Sequence, residues 1–173
     1  MTPGPTIGAM EPVLVPVESH QFWLREPDRR RGFPPRETNG LVAVTGPGSA
    51  IIFTGISSGR VPVRAEALTA APATADLGEW DEIADVSLPG LAGELAVAAL
   101  MDDVPPGLPG LCAAGPGDYR VRVHARGRDT SPDEATDQPA EAYLVLCWPA
   151  PPAPDVQHKL TDRAGAGLRL GSR

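Results

Sequence analysis

With 173 residues, 42% of them hydrophobic, the chain is long enough to bury one core without metal or disulfide staples. Its formal net charge of −7 argues against general affinity for nucleic acid, and no run approaches the roughly 18 apolar residues of a membrane helix. Glycine (19) and proline (21) cut the chain into short segments that suit strands better than helices.

Residues 1–11 read as a disordered leader without the basic and apolar regions of a signal peptide. Val13, Val15 and Val17 then alternate with Leu14, Pro16 and Glu18. This predicts a strand, with Pro16 placing it on a sheet edge. The extended pattern continues through Ser19-His20-Gln21-Phe22-Trp23-Leu24 to Arg25, with His20, Phe22 and Leu24 on one face. Residues 25–40 form a polar loop with five arginines and three prolines, and Pro34-Pro35 forbids helix there. Short strands follow at 41–44, 50–54 and 60–68, separated by the turns Gly46-Pro47-Gly48-Ser49 and Gly55-Ile56-Ser57-Ser58-Gly59.

Residues 70–78 are a spacer of small side chains, and 80–88 are the next strand, carrying Trp80, Ala84, Val86 and Leu88 in one parity. Residues 93–100 are alanine-rich and fit either a strand or a short helix; 102–110 are a loop. The clearest strand lies between Gly115 and Arg128. Tyr119, Val121, Val123 and Ala125 take one face and Arg120, Arg122, His124 and Arg126 the other, as in a half-buried sheet. The turn before it, Pro116-Gly117-Asp118-Tyr119, has the form of a tyrosine corner, in which the hydroxyl reaches back to an upstream backbone group.

Residues 130–141 are an acidic loop. Residues 143–148 are apolar in both parities, the mark of a central strand covered on both sides. Pro149 to Pro154 form a polyproline-like exit, and a Gly-rich tail follows. The expected architecture is all-β: a two-sheet antiparallel β-sandwich of about eight short strands. Residues 12–150 form the domain, with the leader (1–11) before it and the Pro-rich exit and flexible tail (151–173) after it.

Candidate chemistry is sparse. His20, His124 and His158 have no metal-ligand spacing, and neither a Cys-x-x-Cys nor a His-Glu-x-x-His motif is present, so no metal or cofactor is expected. Cys112 and Cys147 make no disulfide framework, and the cytoplasm is the expected compartment. The Gly-Pro-Gly triplets at 46–48 and 115–117 lack the Lys-Ser/Thr of a phosphate loop and read as turns. Ser19 and His20 are neighbours on a strand and point to opposite faces, so they form no nucleophile–base pair. Asp81, Glu82 and Asp85 are read as a solvated face that pairs with arginines. Arg120, Arg122 and Arg126 should meet carboxylates on a neighbouring strand at ~0.2–1 kcal/mol per pair. No catalytic residue is assigned.

The charge distribution is more informative. Lys159 is the lone lysine beside fourteen arginines, a composition that matches a GC-rich genome. Between Arg64 and Arg120 there is no basic residue, only ten carboxylates. Such an acidic half can imitate nucleic-acid phosphates and plug the groove of a nuclease or another basic protein. The residues expected to bind that protein partner are Asp76, Glu79, Asp81, Asp102 and Asp103. Direct nucleic-acid binding and membrane contact are not expected. The alternative is a small-molecule-binding or enzymatic β-sandwich with a pocket between the 25–40 loop and the arginine face. Its anion- or ligand-binding residues would be His20, Arg120, Arg122 and His124.

Ser19-His20-Gln21-Phe22, Gly32-Phe33 and Gly117-Asp118-Tyr119 resemble the pattern of the competence protein J (ComJ) family. Those small cytosolic proteins are regarded as inhibitors of a DNA-entry nuclease, so the resemblance implies a non-catalytic, inhibitor- or immunity-like role. Trp80-Asp81-Glu82 to Ser87, Tyr119 to Asp129 and Tyr143 to Pro154 also resemble a family of uncharacterised actinobacterial proteins. That likeness covers most of the chain and implies no function.

Overall fold

The computed structural model describes residues 11–171 apart from Thr74, Asp76, Asp102 and Asp103. Short alternating segments broken by glycine and proline give an all-β fold, with eleven strands and one helix among the described residues. In chain order the strands are β1 (Val13–Val17), β2 (Gln21–Arg25), β3 (Val42–Gly46), β4 (Ser49–Phe53), β5 (Ser58–Ala67), β6 (Glu82–Leu91), β7 (Ala96–Ala98), β8 (Gly117–Arg126), β9 (Ala135–Thr136), β10 (Ala142–Pro149) and β11 (Val156–Leu160). Helix α1 (Arg163–Arg169) follows. The leader expected over residues 1–11 lies, but for Glu11, outside the described residues. No helix among those residues is long and apolar enough to cross a membrane.

The larger sheet has the order β1-β5-β10-β8-β6-β11, with β9 also pairing with β5; the smaller has the order β3-β4-β2-β7. The inner faces of the two sheets share one apolar core, in which Val63, Val86, Val121 and Val145 of the larger sheet join Phe22, Leu24 and Ile52 of the smaller. Strand β1 is an edge strand, as Pro16 requires. Residues 143–148 are buried throughout. Tyr143, Val145 and Cys147 enter the core, while Leu144, Leu146 and Trp148 join Trp80 and Ile83 in a second apolar cluster on the outer face. The tyrosine corner forms as expected: the Tyr119 hydroxyl donates to the Gly115 carbonyl at 2.7 Å and accepts from the Ala114 amide at 3.0 Å.

Four expectations are corrected. The run over residues 12–25 is two strands in different sheets, and β9 and β11 are additional, which raises the number from about eight to eleven. The sheets are not wholly antiparallel, because β5 runs parallel to both β10 and β9. Strand β10 fills the gap between β5 and β8, a place that its two apolar faces suit. The arginine face of β8 is not half-exposed; Arg120, Arg122 and His124 are 6%, 7% and 2% exposed. What covers it is the segment read as exit and flexible tail. That segment supplies the Ala153 and Pro154 carbonyls to the Arg120 guanidinium and carries both β11 and α1.

The tail is held by a buried ion pair. Arg128, fully buried, directs its guanidinium fork at both oxygens of Asp162 (2.7 and 2.9 Å). Its remaining nitrogen donates to the carbonyls of Gly40 (3.0 Å) and Phe53 (3.1 Å). Asp162 also caps α1 by accepting from the Gly165 amide at 2.7 Å. Gly165 leaves room for the pair, since a Cβ would sit 2.9 Å from Arg128 Nη2 and from Asp162 Oδ1 and would press on it. Glu82, 0% exposed, accepts from the Asp162 amide at 3.1 Å and from Arg169 at 3.0 Å. Burial pushes the Glu82 carboxyl above its ordinary value. Burial also acts to raise Asp162, but Arg128 outweighs it and holds that carboxyl below its ordinary value.

Removing one member strands the other. Asp162→Ala is expected to lower unfolding stability by about 3–5 kcal/mol, measured by urea denaturation. The paired change Arg128→Met/Asp162→Leu should lose markedly less. A double variant less stable than Asp162→Ala would show that the pair itself, not the orphaned charge, supplies the stability.

Candidate functional site

At one end of the molecule the chain passes from the larger sheet to the smaller through a two-residue turn. Glu18 and Gln21 exchange both backbone hydrogen bonds (3.3 and 3.2 Å), and Ser19 and His20 between them are both left-handed, with φ of 53° and 62°. Such turns favour Asn-Gly because L side chains resist positive φ. Ser19 and His20 therefore do not alternate along a strand as expected.

The turn is stitched to the β4–β5 connection. The His20 amide donates to Ser57 (3.0 Å), and its carbonyl accepts from Thr54 (2.9 Å). That connection is in turn gripped by Glu141, which is 1% exposed. The Glu141 carboxylate accepts from the amides of Gly55 (2.8 Å) and Ile56 (2.7 Å) and from the Tyr143 hydroxyl (2.7 Å). Burial, with Glu141 alongside, pushes the Tyr143 phenol well above its ordinary value, so it stays a donor. Gly55 lets the Arg128 backbone pass close by; a Cβ would fall 2.1 Å from the Arg128 carbonyl oxygen.

A second turn meets the first. Glu134 donates to the Ser131 carbonyl (3.2 Å), and between them Asp133 follows Pro132 with a φ of 63°, a position glycine usually fills. The Asp133 amide donates to Gly55 (2.8 Å), and His20 Nε2 lies 2.7 Å from Asp133 Oδ1. Three of the four described non-glycine residues with positive φ thus converge on one contact, each at a cost of order 1–3 kcal/mol.

Two cavities open on either side of this pair. One, of about 370 Å³, is lined by Gly55, Asp129, Pro132, Asp133, Arg163 and Leu168 among others. The other, of about 340 Å³, is lined by Ser19, His20, Pro34, Pro35, Arg36, Phe53 and Leu168 among others. Leu168 of α1 lines both, so the two cavities are neighbours on either side of that side chain, and together they are called the cleft. Phe33 and Leu170, beside the lining residues Pro34 and Gly171, are 89% and 85% exposed. Asp129 fixes α1 along this cleft by accepting from the amides of Arg163 (2.8 Å) and Ala164 (3.0 Å).

The 25–40 loop therefore does line a pocket with His20, but the arginine face does not. Arg120, Arg122 and His124 sit together on the outer side of the larger sheet, engaged in internal contacts. Arg122 clasps Asp85 at 2.7 and 3.1 Å across the β6–β8 register and stacks 5.3 Å from the Trp148 ring centre. Arg120 donates to Ser87 at 2.9 Å, and His124 Nδ1 lies 3.1 Å from the Leu144 carbonyl. Arg122 thus meets a carboxylate on the neighbouring strand as expected. The expected solvated face of Asp81, Glu82 and Asp85 is corrected: Glu82 and Asp85 are buried, because the chain after Pro149 covers them. Burial acts to raise the Asp85 carboxyl, but Arg122 and His158 outweigh it and hold it low.

Of the acidic residues expected to meet a partner, Glu79 is exposed and pairs with Arg126 at 3.0 Å. Asp81 accepts from the Gly127 amide at 2.9 Å. Asp76, Asp102 and Asp103 lie outside the described residues. Among the described residues no three His, Cys, Asp or Glu side chains are placed to hold a metal ion. Burial pushes the Cys147 thiol up to about 12, leaving it inert. Asp133, Glu141 and Leu168 were not anticipated as site residues. The Ser131-Pro132-Asp133 turn is their one local signal, and nothing in it points to His20, 113 positions away.

No protein-family model matches the chain, and neither does any curated protein. Two solved structures resemble it. ComJ from Bacillus subtilis, described as an inhibitor of the DNA degrading activity of NucA, aligns with a TM-score of 0.51 and 14% identity, covering 82% of this chain and all of that one. The product of crocagin biosynthetic gene J aligns at 0.48 and 14%, covering 82% and 97%. At such identity the likeness to ComJ is one of fold.

Two outcomes follow from this geometry. Replacing the turn with Ser19→Asn/His20→Gly should relieve more strain than the lost side-chain hydrogen bond provides (about 0.5–1.5 kcal/mol). The thermal midpoint should rise by a few degrees, at roughly 2–4 °C per kcal/mol; a fall would show that the turn is not strained. The second concerns acid. Asp85 and Asp162 have folded values below their unfolded ones, so their stabilisation is complete above about pH 4 and is lost as pH falls through the folded values. Glu82, raised in the folded state, works in the opposite sense. The thermal midpoint should therefore drop on acidification below about pH 4, and Asp85→Asn should make that drop shallower.

Proposed function

We propose that this chain is a non-catalytic, acidic binding protein of the cytoplasm that inhibits a nuclease or another basic protein. The observation that carries the reading is the fold shared with ComJ over that protein's whole length. The three motifs that resemble the ComJ family give it further support, as does the net charge of −7. The basic-free stretch between Arg64 and Arg120 supplies the attraction, with Asp76, Glu79, Asp81, Asp102 and Asp103 as the steering residues. Charges of this kind act on the rate of encounter and make it salt-sensitive. We further propose that the chain belongs with the uncharacterised actinobacterial proteins it resembles, a grouping that carries no function of its own. A ligand or enzyme site built from His20, Arg120, Arg122 and His124 has less support, because the last three are buried in internal pairs.

Affinity capture from the native cell extract at low salt, followed by a DNA-degradation assay on the captured protein, tests this proposal. The expected result is a basic nuclease or nucleic-acid-binding protein that is inhibited stoichiometrically and released as salt rises. Asp102→Asn/Asp103→Asn should weaken capture by about tenfold while leaving thermal unfolding nearly unchanged. A captured partner without basic surface, or capture indifferent to salt, would sink the reading.

A further inference from the structure

We propose that the cleft at the His20–Asp133 contact is where the partner is anchored. Its occupant is an extended segment of a basic protein. One arginine or lysine of that segment reaches Asp133, and an adjacent apolar side chain packs between Phe33 and Leu170. The inference rests on the binding-protein reading above and deepens it: the distant carboxylates steer, and this cleft captures.

Five observations carry it. The two cavities, about 370 and 340 Å³, share Leu168 as a common wall and neither is enclosed, which suits an extended chain better than an enclosed metabolite. Phe33 and Leu170 stand almost fully in solvent, each next in sequence to a residue that lines the second cavity (Pro34 and Gly171). Large apolar side chains so exposed suit an interaction surface. Asp133 is 72% exposed and uses Oδ1 for His20, while its Oδ2 has no partner among the described residues and can accept from a cation. Of the lining arginines, Arg163 is paired with Asp129 at 3.8 Å, and the exposed Glu18 and Glu134 neighbour the two turns in sequence, so the balance favours a basic segment. Finally, the walls are fixed in advance. Glu141 grips the Gly55–Ile56 amides beneath the two turns, so little ordering cost is left for binding.

The turn composition fits this role. Asn-Gly at 19–20 and Gly at 133 would form the same turns with less strain, and two of the three strained residues present, His20 and Asp133, are the pair that touch.

The test uses the intact chain and two fluorescent hexapeptide probes, one alternating leucine with arginine and one alternating leucine with glutamate. Amide NMR shifts should map the arginine probe to Ser19, His20, Asp133 and Leu168, and the glutamate probe should bind at least tenfold more weakly. Asp133→Asn and Phe33→Ser/Leu170→Ser should each weaken the arginine probe about tenfold with an unchanged thermal midpoint. Leu14→Ser, an exposed apolar residue on β1, should change nothing. Ser19→Asn/His20→Gly should weaken binding even though it stabilises the fold. Equal binding of both probes, shifts elsewhere on the surface, or self-association that vanishes in Phe33→Ser/Leu170→Ser would overturn the inference. If the captured basic partner still binds the Phe33→Ser/Leu170→Ser and Asp133→Asn variants, the cleft is wrong and the inhibitor reading stands. If no basic partner is captured while the arginine probe maps to the cleft, the reverse holds.

Discussion

The buried Arg128 guanidinium is the contact on which the arrangement of this molecule depends. Its four hydrogen bonds reach three segments far apart in sequence: Asp162 at the head of α1, Gly40 at the end of the arginine-rich loop, and Phe53 at the end of β4. A charge placed at full burial is tolerated only when each donor is matched. The requirement ties the loop, the strand end and the helix to one another through a single group. Asp162 carries the constraint onward by capping α1, and Glu82 extends it to Arg169.

The cleft is a by-product of that assembly. Helix α1 reaches the end of the two sheets because Asp162 is held there, and Leu168 then becomes the common wall of both cavities. Glu141 performs the matching task on the other side, satisfying two amides of a connection that would otherwise be buried without partners. The exposed functional candidates are thus borne on groups that are themselves inaccessible. This is how a loop surface acquires the rigidity that recognition needs.

The sequence was most legible where the information is local. The two apolar parities of residues 143–148 gave the central strand, Pro16 gave an edge, and Pro116-Gly117-Asp118-Tyr119 gave the corner with its hydrogen bond. Pairing of Arg122 with Asp85 was also readable, since both lie on strands that a hydrophobic pattern identifies. Burial of the arginine face was not, because its cover is a proline-rich and glycine-rich segment whose composition signals mobility. Gly165 looks like a helix breaker until Arg128 is seen beside it. His20 is a candidate in the sequence, but the Ser19–His20 turn is hidden there: Glu18 to Gln21 carries no Asn-Gly, Asp-Gly or Gly-Gly pair of the kind that marks such a turn. Nothing local joins positions 20 and 133.

The parallel pairing of β5 with β10 also has a consequence for how the chain reaches its fold. Residues 143–147 sit in register with 63–67, so the centre of the larger sheet stays open until some eighty intervening residues have been placed. Closing so long a loop puts the protein among slow, topology-limited folders. During synthesis the first half of the chain emerges with the flank of β5 unsealed, an edge that invites pairing with other chains. The last strand of the core to be made is therefore the one that ends this exposure.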